Sequence, residues 1–296
     1  MAESDLPEAL VDALLAATAA AARAALARVG SGDPDAVDGV AVDALRTALA
    51  PLPVAGRVVA GEGEKDDAPM LHPGEVFGTG GPAVDIVVDP VDGTRLAAAG
   101  RPGAIAVLAA AERGAFIDIG PAHYLDKLVC AYPDAGLALS DPVSANLERL
   151  AAARGRAVAD LRVAVQSRER NRAMAMAVAD AGAQVVGFEH GDIERTLAAA
   201  SVDGEIDLLL GIGGAPEGVI EAAAVIAIGG AMQARFAPQS RAERSRLEAH
   251  GLDSDRVIDL VELCSSPRPL VVLTAVTPFA VPGRMLAAGD GWSAGA

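Results

Sequence analysis

Two aspartates and a threonine follow an apolar run in the segment DIVVDPVDGT, residues 85–94. Asp89 and Asp92 are three positions apart in a loop with proline and glycine, which allows two carboxylates and an intervening carbonyl to converge. Such hard oxygen donors suit Mg²⁺ or Mn²⁺ better than zinc. Charge at the end of a buried strand needs a neutralising partner, although the same residue types also form ordinary turns.

A second carboxylate-rich loop follows another apolar strand, in the segment GEGEKDDAP, residues 61–69. Its glycines permit close backbone approach and unusual dihedral angles. The loop alone could be a solvated turn, but the arrangement of apolar strand and acidic loop occurs twice. If the two loops meet in space, their carboxylates repel unless cations lie between them. The repeated pattern therefore favours a metal site.

A glycine-rich turn, GIGGAPEGV at residues 211–219, joins a predicted strand to a predicted helix. Gly213 and Gly214 lie in this turn, and backbone N–H groups at a helix N-terminus can bind an anionic substrate group. Glu217 falls in the first helical turn, where the dipole favours it and where it could also reach a cation. A plain tight turn is the alternative, since the GK[ST] ending of a Walker loop is missing.

Other polar residues give weaker signals. Arg168 and Arg170 follow a predicted strand and would suit a phosphate clamp, though an exposed helix start explains them nearly as well. Asp192 could be a ligand or simply a helix N-cap. The 4 histidines are scattered and no G-x-S-x-G motif occurs, which argues against a serine nucleophile.

The composition excludes several classes of protein. A formal net charge of −16 argues against a nucleic-acid partner, which needs a basic face. The longest apolar stretches noted, IAVLAAA and AAAVIAIGGAM, are too short to span a bilayer. The 2 cysteines, Cys130 and Cys264, lie far apart in apolar surroundings and are expected to be core thiols. These features indicate a cytoplasmic protein without a membrane partner.

The pattern of elements predicts an α/β protein. Helices are expected over residues 5–29 and 38–50, and several strands in series follow in the first half. From about residue 160, strands and helices alternate as in a layered α/β unit. The rhythm changes between residues 140 and 158, so the chain is divided into halves, 1–150 and 151–296. The last ten residues look like a frayed tail.

Taken together, the motifs resemble the class II fructose-1,6-bisphosphatases over roughly residues 10–280. The most specific of them are GEGEKDDAPML and GIGGAPEGV, whereas DPVDGT also resembles the wider inositol-monophosphatase-like superfamily. The resemblance implies a layered α/β/α/β/α sugar-phosphatase fold, a first half that binds metal and a second half that binds sugar and phosphate. It also implies a Mg²⁺ or Mn²⁺ cofactor, a sugar-phosphate substrate and a homo-oligomer, either dimer or tetramer.

The resemblance also assigns roles to individual positions. The implied metal shell consists of Asp38, Glu62, Asp89, Asp92, Glu217 and the carbonyl of Val91. Glu64 and Asp66 resemble the acidic residues beside that shell, and Asp66 with Thr94 resembles the pair that activates the attacking water. The implied contacts to the sugar and its distal phosphate are Tyr124, Lys127, Arg168, Arg170 and Asp192.

Several positions depart from the family pattern where the sugar and second phosphate would bind. Pro34 replaces a lysine, His190 replaces an aspartate and Ala275 replaces a glycine. A phosphatase for fructose 1,6-bisphosphate, with sedoheptulose 1,7-bisphosphate as a further substrate, is the first hypothesis. A paralogue specific for another sugar phosphate is the second. A catalytically silent regulator and a glycosidase with paired carboxylates are further alternatives, and only the glycosidase would keep its activity with a chelator.

Overall fold

The computed structural model describes residues 6, 8–61 and 71–295, and the chain forms two compact units. The first unit comprises residues 1–118 and 264–296, and the second comprises residues 119–263. The second unit is therefore inserted in the sequence of the first. The division expected at residue 150 falls inside a helix of the second unit, Val143–Arg154, whose mixed polar sequence hides the buried Leu147 and Leu150.

Helices and strands are numbered along the chain. The strands are β1 (Ala55–Ala60), β2 (Val76–Phe77), β3 (Ala83–Asp92), β4 (Ile105–Glu112), β5 (Tyr124–Cys130), β6 (Arg162–Gln166), β7 (Gln184–Phe188), β8 (Leu208–Gly214), β9 (Ala231–Phe236), β10 (Ile258–Asp259), β11 (Leu270–Ala275), β12 (Phe279–Val281), β13 (Arg284–Leu286) and β14 (Gly291–Ala294). The helices are α1 (Glu8–Leu26), α2 (Pro34–Leu49), α3 (Thr94–Ala98), α4 (Val143–Arg154), α5 (Arg172–Asp180), α6 (Asp192–Ala200), α7 (Ala215–Ile228), α8 (Arg241–Ala249) and α9 (Leu260–Leu263). The predicted mixed α/β class is confirmed.

A six-stranded mixed sheet lies at the centre of the first unit, in the order β14-β11-β4-β3-β1-β2. β1 and β3 are parallel, and the other neighbouring strands are antiparallel. The central strands β3, β4 and β11 are buried along almost their whole length. Their apolar runs, IVV in β3, IAVLAAA in β4 and LVVL in β11, are typical of strands at the centre of a core.

α1 and α2 cover this sheet with their apolar faces. In α2, residues 37, 41, 45 and 49 are buried and recur at the helical spacing. The helix begins earlier than predicted, because Asp33 Oδ1 accepts a hydrogen bond from Ala36 N–H at 3.1 Å and Pro34 occupies the first turn. Pro34, one of the departures, is thus a helix-starting residue.

α1 also corrects the expectation that no apolar segment is long enough to cross a membrane. Its residues Ala9–Leu26 have a mean hydropathy of 1.6, so by length and composition this helix is long and apolar enough to cross a membrane. In the structure 39% of this segment is buried. Leu14, Ala17 and Ala21 are among its buried residues, and α1 packs against α2 and β11. One face of α1 thus belongs to the core of the first unit.

A second six-stranded sheet forms the centre of the second unit, in the order β10-β9-β5-β8-β6-β7. β6 is parallel to β7 and β8, whereas β5 is antiparallel to β8 and β9. The alternation of β6, α5, β7, α6, β8 and α7 along the chain agrees with the predicted rhythm. The polar ends of β5, β6 and β8 carry most of the predicted substrate contacts.

Three segments differ from the sequence expectation. The predicted frayed tail contains β14, which pairs with Val271–Thr274 of β11. The segment AFIDI, residues 115–119, belongs to the predicted series of strands but contributes only an isolated bridge between Phe116 and Cys264. β9 forms at Ala231–Phe236, where no strand was predicted. Each difference arises because strand pairing is decided by distant partners that a local pattern does not reveal.

Candidate active site

The acidic end of β3 belongs to the first unit. The strand continues through Asp92, and its register against β4 shifts between Asp89 and Asp92. Val91 N–H donates to Asp89 Oδ1 at 3.0 Å, and the Thr94 hydroxyl donates to the Val91 carbonyl at 2.9 Å. Gly93, between Asp92 and Thr94, has a φ of 83°, a left-handed backbone conformation that favours glycine. One tight turn therefore holds all the residues predicted to act at this end of β3.

The carboxylates of this region have the chemistry of a hard cation site. Asp92 is 7% exposed and Asp38 is 8% exposed. Asp38 lies on α2, which packs against β3 and α3. Carboxylate oxygens and a backbone carbonyl are donors of the type that Mg²⁺ and Mn²⁺ prefer. The residues present in the first unit therefore fit such an ion by donor type.

The rest of the predicted metal shell is not assembled within the described residues. Glu62, Glu64 and Asp66 lie outside them. Glu217 belongs to the second unit, where it is half-buried in the first turn of α7. Among residues 6, 8–61 and 71–295, no three His, Cys, Asp or Glu side chains lie close enough to hold a metal. The described residues thus include only part of the predicted shell, and its assembly stays a prediction.

Lys127 is the centre of a buried ionic cluster in the second unit. Its Nζ donates to Asp192 Oδ2 at 3.0 Å and to Glu221 Oε1 at 2.7 Å. The lysine is 1% exposed and Glu221 is fully buried. The three side chains come from β5, from the first turn of α6 and from α7. Three separate elements thus converge on one ammonium group.

The glycine-rich segment predicted as a turn forms the end of β8, where Gly213 pairs with Leu125 and Gly214 pairs with Tyr124. It lies directly against this cluster. A Cβ at Gly213 would overlap with the Asp192 carboxylate and with the end of Lys127. A Cβ at Gly214 would overlap with the Glu217 carboxylate. The end of β8 therefore contains glycine because charged side chains occupy the space that a side chain there would need.

The cluster holds more negative than positive charge, and the pKa values reflect this. Burial alone would lower the pKa of Lys127, but Asp192 and Glu221 raise it well above its ordinary value. Burial raises the pKa of Glu221 to about 7, although Lys127 opposes that rise. In the described part of the chain, Glu221 Oε2 is buried without a hydrogen-bond partner. Lys127 therefore stays cationic at neutral pH.

Arg170 is held beside this cluster. Its guanidinium carbon lies 4.5 Å from the centroid of the Tyr124 ring, a cation–π distance. Its Nε donates to the Ile212 carbonyl at 3.0 Å and its Nη2 donates to Gln166 Oε1 at 2.7 Å. Gln166 Nε2 in turn donates to Asp192 Oδ1 at 2.9 Å. Predicted substrate contacts thus form one connected chain.

Arg168 has different partners. Its Nη2 donates to the Glu189 carbonyl at 3.0 Å and lies 3.2 Å from His190 Nδ1. It borders a cavity of about 340 Å³ that Gln166, Ser167 and Asn171 also line. The two arginines predicted as one clamp are therefore anchored separately.

Gln166 and Glu221 contact predicted site residues but were not predicted from the sequence. Glu221 lies one turn after Glu217 on the same helix, in an otherwise apolar stretch, and a carboxylate in such a place is rarely buried without a partner. That signal was present in the sequence. Gln166 ends β6 and gave no comparable signal, because its role depends on neighbours from other elements.

Comparison with known proteins identifies the class. The model of a family described as bacterial fructose-1,6-bisphosphatase, glpX-encoded, matches residues 8–287. This match defines a phosphoric monoester hydrolase of the sugar-bisphosphate phosphatase class. The chain belongs to this bacterial fructose-1,6-bisphosphatase family, so the predicted resemblance is confirmed. Enzymes of the family are in general metal-dependent and act on a sugar phosphate.

Individual relatives support the same assignment. The chain is 36% identical over 275 residues to fructose-1,6-bisphosphatase 1 class 2 of Escherichia coli (strain K12), covering 88% of this chain and 82% of that protein. Fructose-1,6-bisphosphatase class 2 of Shigella flexneri gives the same identity and coverage. The similarity extends through both compact units.

Proposed function

We propose that this enzyme hydrolyses a phosphate ester of fructose 1,6-bisphosphate with a water activated at a Mg²⁺ or Mn²⁺ site. The observation that carries the proposal is the placement of Arg170, which is stacked on Tyr124 at 4.5 Å and linked through Gln166 to Asp192 of the buried Lys127 cluster. A guanidinium held in one orientation suits a phosphate group of an anionic sugar phosphate. Membership of the family supports the same substrate.

The residues proposed to hold the metal are oxygen donors from both parts of the sequence. They are Asp38, Glu62, Asp89, Asp92, Glu217 and the carbonyl of Val91. When bound, such an ion lowers the pKa of a coordinated water and neutralises charge on the phosphate oxygens.

Thr94 and Asp66 are proposed to orient and deprotonate the attacking water. The hydrogen of the Thr94 hydroxyl is donated to the Val91 carbonyl at 2.9 Å, so Oγ1 offers its lone pairs as acceptors. A water that donates one hydrogen to Thr94 Oγ1 is oriented by that bond. Asp66 then accepts the proton, with Glu64 beside it. No covalent intermediate is needed.

Tyr124, Lys127, Arg168, Arg170 and Asp192 are proposed to bind the sugar and its distal phosphate. The arginines supply positive charge, and Asp192, which Lys127 holds in place, accepts hydrogen bonds from sugar hydroxyls. Gly213 and Gly214 let the side chains of Asp192, Lys127 and Glu217 lie against the backbone of β8 beside the substrate. The cation–π contact with Tyr124 restricts Arg170 to one orientation.

The test is phosphate release from a panel of sugar mono- and bisphosphates with Mg²⁺ or Mn²⁺, with and without a chelator. We expect fructose 1,6-bisphosphate to be preferred and the chelator to abolish turnover. Asp66→Ala should remove turnover while the protein stays folded. Arg170→Ala should raise KM for the bisphosphate more than for a monophosphate. Turnover that survives the chelator would contradict the proposed chemistry.

A second candidate is a different sugar phosphate as the preferred substrate. The contact between Arg168 and His190 favours it, because a neutral imidazole can accept from the guanidinium at 3.2 Å without forming an ion pair. His190→Asp would then move the preference within the panel towards fructose 1,6-bisphosphate. A panel without any turnover would favour the silent regulator. The proposal extends to a cytoplasmic homo-oligomer that binds neither nucleic acid nor a membrane.

A further inference from the structure

Gln166 joins two groups that the proposed function assigns to substrate binding. Its carbonyl oxygen accepts from Arg170 Nη2 at 2.7 Å and its amide nitrogen donates to Asp192 Oδ1 at 2.9 Å. The opposite orientation of the amide would set donor against donor and acceptor against acceptor. The two charged neighbours therefore fix how this amide points.

Arg170 and Asp192, the two side chains that Gln166 joins, each have further contacts of their own. Arg170 is stacked on Tyr124 and bonded to the Ile212 carbonyl. The hydrogen bond to Gln166 is the third contact that holds its guanidinium in place. The second oxygen of Asp192 is bonded to Lys127. Gln166 is thus the connection between the arginine and the buried ionic cluster.

The backbone of Gln166 is fixed as well. It is the last residue of β6, in register with Phe188 of β7. Asn171 Nδ2 donates to its carbonyl at 3.2 Å, and the same amide bonds to Ile212 on β8. A side chain on so well-anchored a strand end can hold its partners with little loss of conformational entropy.

We infer that Gln166 is a positioning residue, which holds Arg170 and Asp192 in one fixed arrangement for an anionic sugar phosphate. The inference rests on the proposed function for its ligand, but the arrangement itself is a property of the free protein. Gln166 does not need to contact the substrate. Its effect is transmitted through the arginine and the carboxylate.

The test compares Gln166→Met, which keeps the length of the side chain and removes both hydrogen bonds, with Gln184→Met. Gln184 is an exposed glutamine on the adjacent strand β7, bonded to the Ala159 carbonyl at 2.9 Å. We expect Gln166→Met to raise KM for fructose 1,6-bisphosphate about tenfold with little change in kcat. Gln184→Met should change neither constant.

A spectroscopic readout tests the positioning without turnover. The Nε–H signal of Arg170 should be displaced by the ring current of Tyr124, and Arg170→Lys assigns it by its disappearance. We expect Gln166→Met to move this signal towards the position of exposed arginines, while the melting temperature stays close to that of the wild type. Gln184→Met should leave it in place.

The outcomes separate this inference from the proposed function. If the wild type hydrolyses no sugar phosphate, the proposed function fails, and the Arg170 signal still decides whether Gln166 positions the arginine. If the wild type is active but Gln166→Met leaves both KM and the signal unchanged, the inference is overturned. A raised KM with an unmoved signal would also overturn it, because the effect would then not pass through Arg170.

Discussion

At the scale of single residues, Glu221 shows how burial sets chemistry. The carboxylate is fully buried on α7 and shares the Lys127 ammonium with Asp192. One cation faces two carboxylates, so full ionisation leaves a net negative charge in the core, which is unfavourable. The pKa of Glu221 is accordingly raised to about 7 by burial, against the effect of Lys127.

This raised pKa predicts the pH dependence of stability. Because the folded protein binds the Glu221 proton more tightly than the unfolded chain, the stabilising contribution is complete below the ordinary glutamate pKa. It is lost as the pH rises through about 7. Relative to Glu221→Gln, the wild type should therefore lose free energy of unfolding between about pH 5 and pH 8.

Urea unfolding of both proteins at several pH values, with EDTA present throughout, measures this difference. Glu221→Gln serves as the reference because it cannot titrate and keeps the shape of the side chain. A difference between the two proteins that stays constant across this range would mean that Glu221 is ionised throughout.

At the scale of elements, Asp85 on β3 links neighbouring segments in the sheet of the first unit. The carboxylate is fully buried and accepts from Arg57 Nε at 3.0 Å and Nη2 at 2.6 Å. It also lies 2.8 Å from Arg113 Nε and accepts from Gly114 N–H at 2.8 Å. One side chain thus connects β1, β3 and the turn after β4.

We expect Asp85→Ala to lower the free energy of unfolding by about 3 kcal/mol, because several charge-assisted hydrogen bonds disappear at a buried position. Asp141→Ala is the matched control, since Asp141 forms an exposed ion pair with Arg149. That control should change stability by less than about 1 kcal/mol. Chemical denaturation of both variants gives the comparison. Equal effects would mean that the connection through Asp85 does not stabilise the sheet.

At the scale of the whole molecule, the first unit is built from both ends of the chain. β11 lies between β14 and β4, and the apolar core of the unit includes Leu270, Val272 and Val276. The residues where the chain leaves the first unit and returns to it are neighbours. Phe116 forms an isolated β-bridge with Cys264, and Ser265 N–H donates to the Ala115 carbonyl at 2.8 Å.

A fragment of residues 1–118 should therefore not fold cooperatively, because it lacks β11 and β14 and would expose the edge of β4. A fusion of residues 1–118 to 264–296 through a short glycine-serine linker should fold, since the joined ends are adjacent. Thermal unfolding followed by circular dichroism distinguishes the two. A cooperative transition of the 1–118 fragment at the temperature of the fusion would contradict this prediction.

Much of this molecule follows from local patterns in the sequence. Apolar runs specify β3, β4 and β11, because a strand with few polar residues is stable only in a core. The spacing of apolar positions specifies α2, and glycine marks the turn at residue 93. The turn predicted at residue 211 is instead part of β8. The motifs that resemble the family also indicate Asp89, Lys127 and Glu217 as site residues. The proposed roles of these residues remain predictions.

Only the tertiary structure decided the remaining features, because they depend on partners that are distant in sequence. β14 is a strand because β11 is beside it, although its own residues resemble a tail. Gln166 gains its role from Arg170 and Asp192, which reach it from other elements. The pKa of Glu221 is set by burial and by Lys127, 94 positions earlier. Local sequence specifies which residues form helices and strands, whereas packing specifies which side chains form ion pairs and hydrogen bonds with one another.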